Sequence, residues 1–208
     1  MLLSPVENPY WDAIKVLLGE EDWSGHWEPS QFLFSPEGQV KETRRALVVE
    51  YAWAIPDPAT LRFIAEHAGS RIVEMGAGTG YWSWMLAQLG GDILAFDAHP
   101  PHCAKNEWHQ TGKTYYDVQP GTPEDLARYS DRTLFLCWPP YDTDMAARCL
   151  QHYPGDRLIY IGEGSGGCTG DEEFHGKLEA EWEEIASHRP IQWEGIHDWV
   201  TVYEKKKS

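Results

Sequence analysis

The sequence predicts an α/β fold in which a mostly parallel sheet carries helices on both faces. Three observations predict it. From residue 57 onward, short apolar runs alternate with helix-patterned segments. A glycine-rich turn, "MGAGTG", joins the first of those runs to a helix. Near the C-terminal end, two runs lie only three residues apart, too close for a parallel crossover and suited to an antiparallel hairpin.

Taken in order, residues 1–56 are Trp-rich, turn-rich and only partly periodic, so they are expected to form a helical cap or lid on the core of a single domain that residues 57–208 build. Asp57 before Pro58 reads as a helix N-cap with proline at the first helical position, and Leu61, Ile64, Ala65 and Ala68 continue at helical spacing. Strands are expected at 71–75, 92–96, 114–118, 133–137 and 157–161, with helices at 81–89, 101–110, 123–129 and 142–153 between them. A charged helix over 172–188 then leads to the hairpin of runs 191–195 and 199–204, so the sheet should end in one reversed strand.

Composition narrows the function classes. Hydrophobic residues at 42% and charged residues at 24% are ordinary for a globular chain and exclude global disorder. With 17 Lys and Arg against 33 Asp and Glu, the net charge of −16 repels polyanions, which argues against a nucleic-acid partner. The Lys205-Lys206-Lys207 run is expected to be a solvated tail. No apolar stretch approaches the roughly 20 residues that cross a bilayer, and the N-terminus lacks a basic start with an apolar signal core, so no membrane partner and a cytoplasmic location are expected. The four cysteines are scattered without a C-x-x-C pair and read as free thiols. His99 and His102 flank a proline turn rather than one helical face, so no metal site is expected. Eleven Trp and ten Tyr exceed what a core of this size needs and point to an aromatic-lined cavity for a small organic ligand.

The glycine turn narrows the ligand. Gly76, Gly78 and Gly80 are spaced G-x-G-x-G, unlike the G-x-G-x-x-G of dinucleotide folds, and Glu74 stands two residues before the first glycine. A carboxylate there would repel a pyrophosphate and favour a cationic sulfonium or ammonium. In a parallel α/β sheet the ligand sits beyond the carboxyl ends of the strands, which places Glu74 to Gly80, Asp97, Gln119 to Asp125, Trp138 to Asp142, Glu163, His197 and Asp198 on one rim.

At this point the chain resembles class I S-adenosylmethionine (SAM)-dependent methyltransferases over roughly residues 57 to 204. "VEMGAGTG" is similar to the family's E/D-x-G-x-G-x-G motif, and Asp97 ends "LAFD" where the family keeps an acid after its second strand. The resemblance implies a Rossmann-like, seven-stranded sheet, SAM as cofactor, Glu74, Gly76, Gly78, Gly80, Asp97, Thr122 and Trp138 as cofactor-binding residues, and a ribose contact for Asp97. "YAWAIP", "GAGTGYW", "LCWPP", "IGEG" and "GCTGD" together resemble a subgroup of methyltransferase-like proteins.

"CWPPYD" resembles the D/N-P-P-Y loop of amino-methyltransferases, but Trp138 stands where that loop has its acid or amide. Indole only donates, so it cannot accept from an amine, which speaks against adenine N6-methylation. Trp138 is instead expected to wall the pocket. Tyr51, Trp53, Pro139 and Tyr141 are the expected acceptor-binding residues, and His197, Glu163 and Tyr141 the catalytic candidates, with His197 beside Asp198 as an acid–base pair. The expected function is methyl transfer to oxygen or nitrogen of a small molecule. The competing expectations are a nucleic-acid or protein methyltransferase, which needs a basic groove beside the WPPY loop, and a non-catalytic SAM-binding scaffold. A nicotinamide oxidoreductase is disfavoured by the glycine spacing.

Overall fold

A computed structural model describes residues 6–18, 32–33, 40–103, 105–106, 108–109 and 113–207. Its centre is the apolar run that the sequence marks as the first strand. With β1 (Phe32–Leu33) preceding it in the chain, this run is β2 (Arg71–Met75), and after its first residue it is buried throughout. Burial on both faces is why it reads as a continuous apolar stretch rather than an alternating one.

β3 (Asp92–Asp97) and β4 (Val118–Pro120) lie to one side of β2; β5 (Thr133–Cys137) and β6 (Arg157–Gly162) lie to the other, all in parallel. β7 (Trp182–His188) and β9 (Trp199–Lys205) complete a seven-stranded sheet of order β4-β3-β2-β5-β6-β9-β7. β9 runs antiparallel to both β6 and β7. The sheet thus holds a single reversed strand, in the penultimate position. Strand order reverses between β2 and β5, which is where ligands of such sheets bind.

Helices cover both faces. α1 (Pro9–Leu18), α3 (Pro58–His67) and α4 (Tyr81–Gln88) bury Tyr10, Ile14, Leu61, Ile64, Trp82 and Met85 against Ile72, Phe135, Ile159 and Val202 of the sheet. α5 (Met145–His152) and α6 (Glu172–Glu181) bury Ala146, Leu150, Phe174 and Leu178 against Val73, Leu134 and Leu158 on the opposite face. α2 (Val40–Glu50) leads into the 51–55 segment, whose Tyr51, Ala54 and Ile55 join the first of these cores. Asn8 ties the N-terminal part down by donating to Pro56 O at 2.7 Å and accepting from the Tyr81 hydroxyl at 2.8 Å.

Five elements differ from expectation. The helix expected over 172–188 stops at Glu181, because the free edge of β9 offers 182–188 a ladder and Trp182 turns into the second core. The closing hairpin is therefore β7 with β9. The 191–195 run supplies only β8 (Gln192–Trp193), which pairs in parallel with β1 in a separate two-stranded sheet. The helix expected over 101–110 is replaced, among the described residues, by turns: the Asn106 side chain donates to His99 O and accepts from the N–H groups of Trp108 and His109, a local alternative to helical bonding. The third strand is β4, displaced toward Gly121 from the expected 114–118, and 123–129 forms a 3₁₀ turn, Pro123–Arg128, rather than an α-helix.

Candidate functional site

β2 ends on Met75, and the chain turns at once into α4 through three glycines with positive φ. Gly78 sits at φ 53°, and its N–H donates to Asp97 Oδ2 at 2.9 Å. The glycine turn and the acid at the end of β3 are thus joined directly. Asp97 Oδ1 accepts from His99 N–H at 2.8 Å, so each oxygen makes one backbone bond. A carboxylate offers about four acceptor positions, which leaves capacity for vicinal hydroxyls. Gly121 follows β4, its N–H donating to Asp97 O at 3.0 Å, and this sets the exposed Thr122 beside the same rim. A cavity of about 450 Å³ opens alongside, lined by His102, Thr114, Tyr115, Tyr116, Asp117 and Val118.

Glu74 is not on the open face of this turn. It is 2% exposed and accepts from the Ser83 hydroxyl of α4. Burial raises its pKa to about 8, with the Asp97 charge acting in the same direction against the Ser83 bond, so the group is largely neutral at pH 7. This corrects the electrostatic premise drawn from the sequence: the negative charge at the turn comes from Asp97.

His109, which the sequence did not single out, covers Gly78. A Cβ on Gly78 would come within 2.7 Å of the His109 ring, so a side chain there would collide with it as well as strain the backbone. The ring is buried, which lowers its pKa and keeps it neutral, and its Nδ1 lies 3.2 Å from Val49 O of α2. Next to it, Trp108 meets Trp53 edge-on at 5.5 Å, and Trp53 stacks on Trp138 at 5.1 Å with the planes 11° apart. A row of rings therefore runs from the glycine turn to the end of β5. Arg44 of α2 lies over it, with Cζ 5.9 Å from the Trp53 ring centre and 5.7 Å from that of Trp138.

Trp138 is the single described non-glycine residue with positive φ, at 53°. Its N–H donates to Ile161 O at 2.8 Å and its indole Nε1–H to Asp198 Oδ2 at 2.9 Å. Burial lifts Asp198 to about 7, against the pull of the Trp138 bond. The WPPY loop is also tied to the glycine-rich loop after β6, through Gly170 N–H to Pro139 O at 2.9 Å and a bridge between Pro140 and Thr169.

Glu163 is buried at the end of β6 and acts as a bracket. Its Oε2 accepts from Cys168 N–H and its Oε1 from His197 N–H, both at 2.8 Å. Burial alone would raise its pKa; these donors outweigh that and hold it below the usual value. The expected His197–Asp198 pair is separated: the His197 ring is 70% exposed and lies 3.4 Å from Glu163, whereas Asp198 is buried under Trp138. Both residues lie in the irregular segment before β9, where the His197 N–H is held by Glu163 and Asp198 by the Trp138 indole.

Of the expected acceptor-binding residues, Trp53 stacks on Trp138, which was expected on the cofactor side, and Pro139 follows Trp138 in the chain. Tyr51 does not join them; it stacks on Tyr10 at 5.1 Å and packs edge-on to Tyr81 at 5.2 Å, in a tyrosine cluster within the core. Its carbonyl accepts from the Thr79 hydroxyl, which fastens this segment to the glycine turn. Tyr141 is 61% exposed beyond the loop.

No family model and no curated protein matches the chain. Among solved structures it is similar to the 1,6-didemethyltoxoflavin N1-methyltransferase of Burkholderia thailandensis, at 18% identity over 86% of this chain and 93% of that one, with a TM-score of 0.47. It is also similar to the magnesium protoporphyrin IX methyltransferase of Synechocystis PCC 6803, at 13% identity over 88% and 87% of the two chains, TM-score 0.45. An rRNA methylase from Streptococcus thermophilus matches at 14% identity over 72% of this chain and 95% of that one, TM-score 0.44. At these levels no residue's role carries across from one protein to another.

Proposed function

We propose that this chain is a SAM-dependent methyltransferase that delivers a methyl group to oxygen or nitrogen of a small-molecule acceptor. The observation that supports it most is the direct bond from the Gly78 N–H to Asp97, beside the switch point of a sheet whose penultimate strand is reversed. The backbone at Gly76, Gly78 and Gly80 would hold the methionine portion, and Asp97, with Thr122 beside it, the sugar end. SAM supplies an electrophilic methyl on a cationic sulfur. The chain's own part is to hold the acceptor in line and exclude water, and the row of Trp108, Trp53 and Trp138 offers an apolar aromatic wall for that purpose. A net charge of −16 favours a small acceptor over a polyanion.

One observation favours the second reading, a SAM-binding protein without turnover: the expected His197–Asp198 pair is split, with Asp198 buried and both Glu163 oxygens accepting from backbone N–H groups. Calorimetry discriminates. SAM is expected to bind one per chain with a dissociation constant in the micromolar range, NAD not at all, and Gly78→Arg is expected to abolish the SAM heat. A mass-shift screen of planar phenols, amines and cyclic amides then tests transfer. Binding of NAD in place of SAM overturns the proposal; SAM binding without transfer to any acceptor supports the second reading.

A further inference from the structure

Two buried polar atoms flank the Trp138 indole and have no hydrogen-bond partner among the described residues: Oδ1 of Asp198 and Nε of Arg44. Asp198 is 3% exposed and uses its other oxygen on the indole N–H. Arg44 lies against the same ring, its guanidinium carbon 5.7 Å from the ring centre. The two groups are opposite in hydrogen-bonding sense, Arg44 Nε–H a donor and Asp198 Oδ1 an acceptor, yet among the described residues no hydrogen bond joins them. A buried donor or acceptor left unmet bears its full desolvation cost, so two such atoms beside one aromatic wall mark a place where a ligand completes the bonding. The backbone agrees: Trp138 is held in the left-handed region, a strain that clusters at ligand clamps.

The pair sets the chemistry of what fits. A lone amine would satisfy Asp198 and be repelled by Arg44; a lone carboxylate would do the reverse. A flat ring whose edge carries a carbonyl oxygen beside a ring N–H satisfies both and leaves its faces to the indoles. We propose that Arg44 and Asp198 recognise the cyclic-amide edge of a planar acceptor, Arg44 Nε–H donating to the carbonyl oxygen and Asp198 Oδ1 accepting from the ring N–H, with the ring against Trp53 and Trp138. Naming this ligand an acceptor rests on the methyltransferase reading of the same site. Trp108, at one end of the row, is 54% exposed.

The test is calorimetry on the full chain with 2-quinolone and N-methyl-2-quinolone, which share a ring and a carbonyl and differ in the N–H. At pH 8.5, above the Asp198 pKa of about 7, wild type is expected to bind 2-quinolone about tenfold or more tightly than its N-methyl analogue, the worth of one hydrogen bond to a charged group. Asp198→Asn keeps an acceptor for the Trp138 indole but turns a donor toward the ligand, so the preference should fall to within about threefold. Arg44→Met should weaken both quinolones alike, because both keep the carbonyl. Equal affinity of the wild type for the two compounds, no binding of 2-quinolone at about 1 mM, or an unchanged preference in Asp198→Asn overturns the inference. The wild-type comparison stands even if a variant fails to fold. SAM titrated into the same preparation separates the two proposals: SAM heat without quinolone discrimination rejects the cyclic-amide edge alone, and discrimination without SAM heat rejects the methyltransferase reading.

Discussion

Glu74 and Asp198 are carboxyls governed by burial rather than by a cationic partner, with folded pKa values of about 8 and about 7. Both lie above the values of an unfolded chain, so the native state keeps protons that the unfolded state has released. Their contribution to stability is complete below the unfolded pKa and is lost as pH rises through the folded one. His109, with its pKa lowered by burial, works the other way and withdraws stability as pH falls through the ordinary imidazole range. The carboxyls should dominate above pH 6. The urea midpoint is expected to fall between pH 6 and pH 8.5, and Glu74→Gln should flatten that slope, by an amount on the order of a few kcal/mol; an unaltered slope in the variant would show that Glu74 ionises normally. At this scale the sequence is informative where partners are near in the chain. The glycine turn and Asp97 were legible from spacing, because 19 residues of turn, helix and strand return the chain to the same rim. His109 on Gly78, Arg44 on Trp138 and Asp198 beneath Trp138 were not, because nothing periodic announces contacts made across separate elements.

Asp57 shows how one cap can tie elements together. Its Oδ1 accepts from the N–H groups of Ala59 and Thr60 at the start of α3, while Oδ2 accepts from the Thr60 hydroxyl at 2.6 Å and from Ile191 N–H at 3.2 Å. Asp57→Ala removes the cap and leaves buried donors unmet. A loss of about 1–3 kcal/mol is expected by urea denaturation, and a change below about 0.5 kcal/mol would mean that water replaces the carboxylate. The cap itself could be read from Asp57-Pro58; its long-range bond could not. The same contrast explains the strand β7. Phe174, Leu178 and Trp182 continue at helical spacing, so local pattern extends α6 past its true end, and only the unpaired edge of β9 converts 182–188 into a strand. Short-range signals likewise placed β2 and β5 to the residue, since a run buried on both faces leaves its mark in composition alone.

Across the whole molecule, a net charge of −16 sets which partners can approach. Duplex DNA and structured RNA are expected to show no retardation in a gel at about 100 mM salt, and a salt-dependent shift would revive the nucleic-acid reading. The small β1–β8 sheet joins Phe32–Leu33 to Gln192–Trp193, and Tyr10 accepts from the Trp193 indole at 3.2 Å, so early and late parts of the chain meet on the same side. No helix among the described residues is long and apolar enough to cross a membrane. The position of β9 carries a further consequence. Although translated after β7, it lies between β6 and β7, so on the ribosome neither neighbour can close its ladder until residues 199–205 have emerged. Until then Leu158 to Ile161 present an unguarded apolar border, an invitation to intermolecular strand pairing. A nascent chain arrested before Trp199 should accordingly depend on chaperones, and its release should yield insoluble protein.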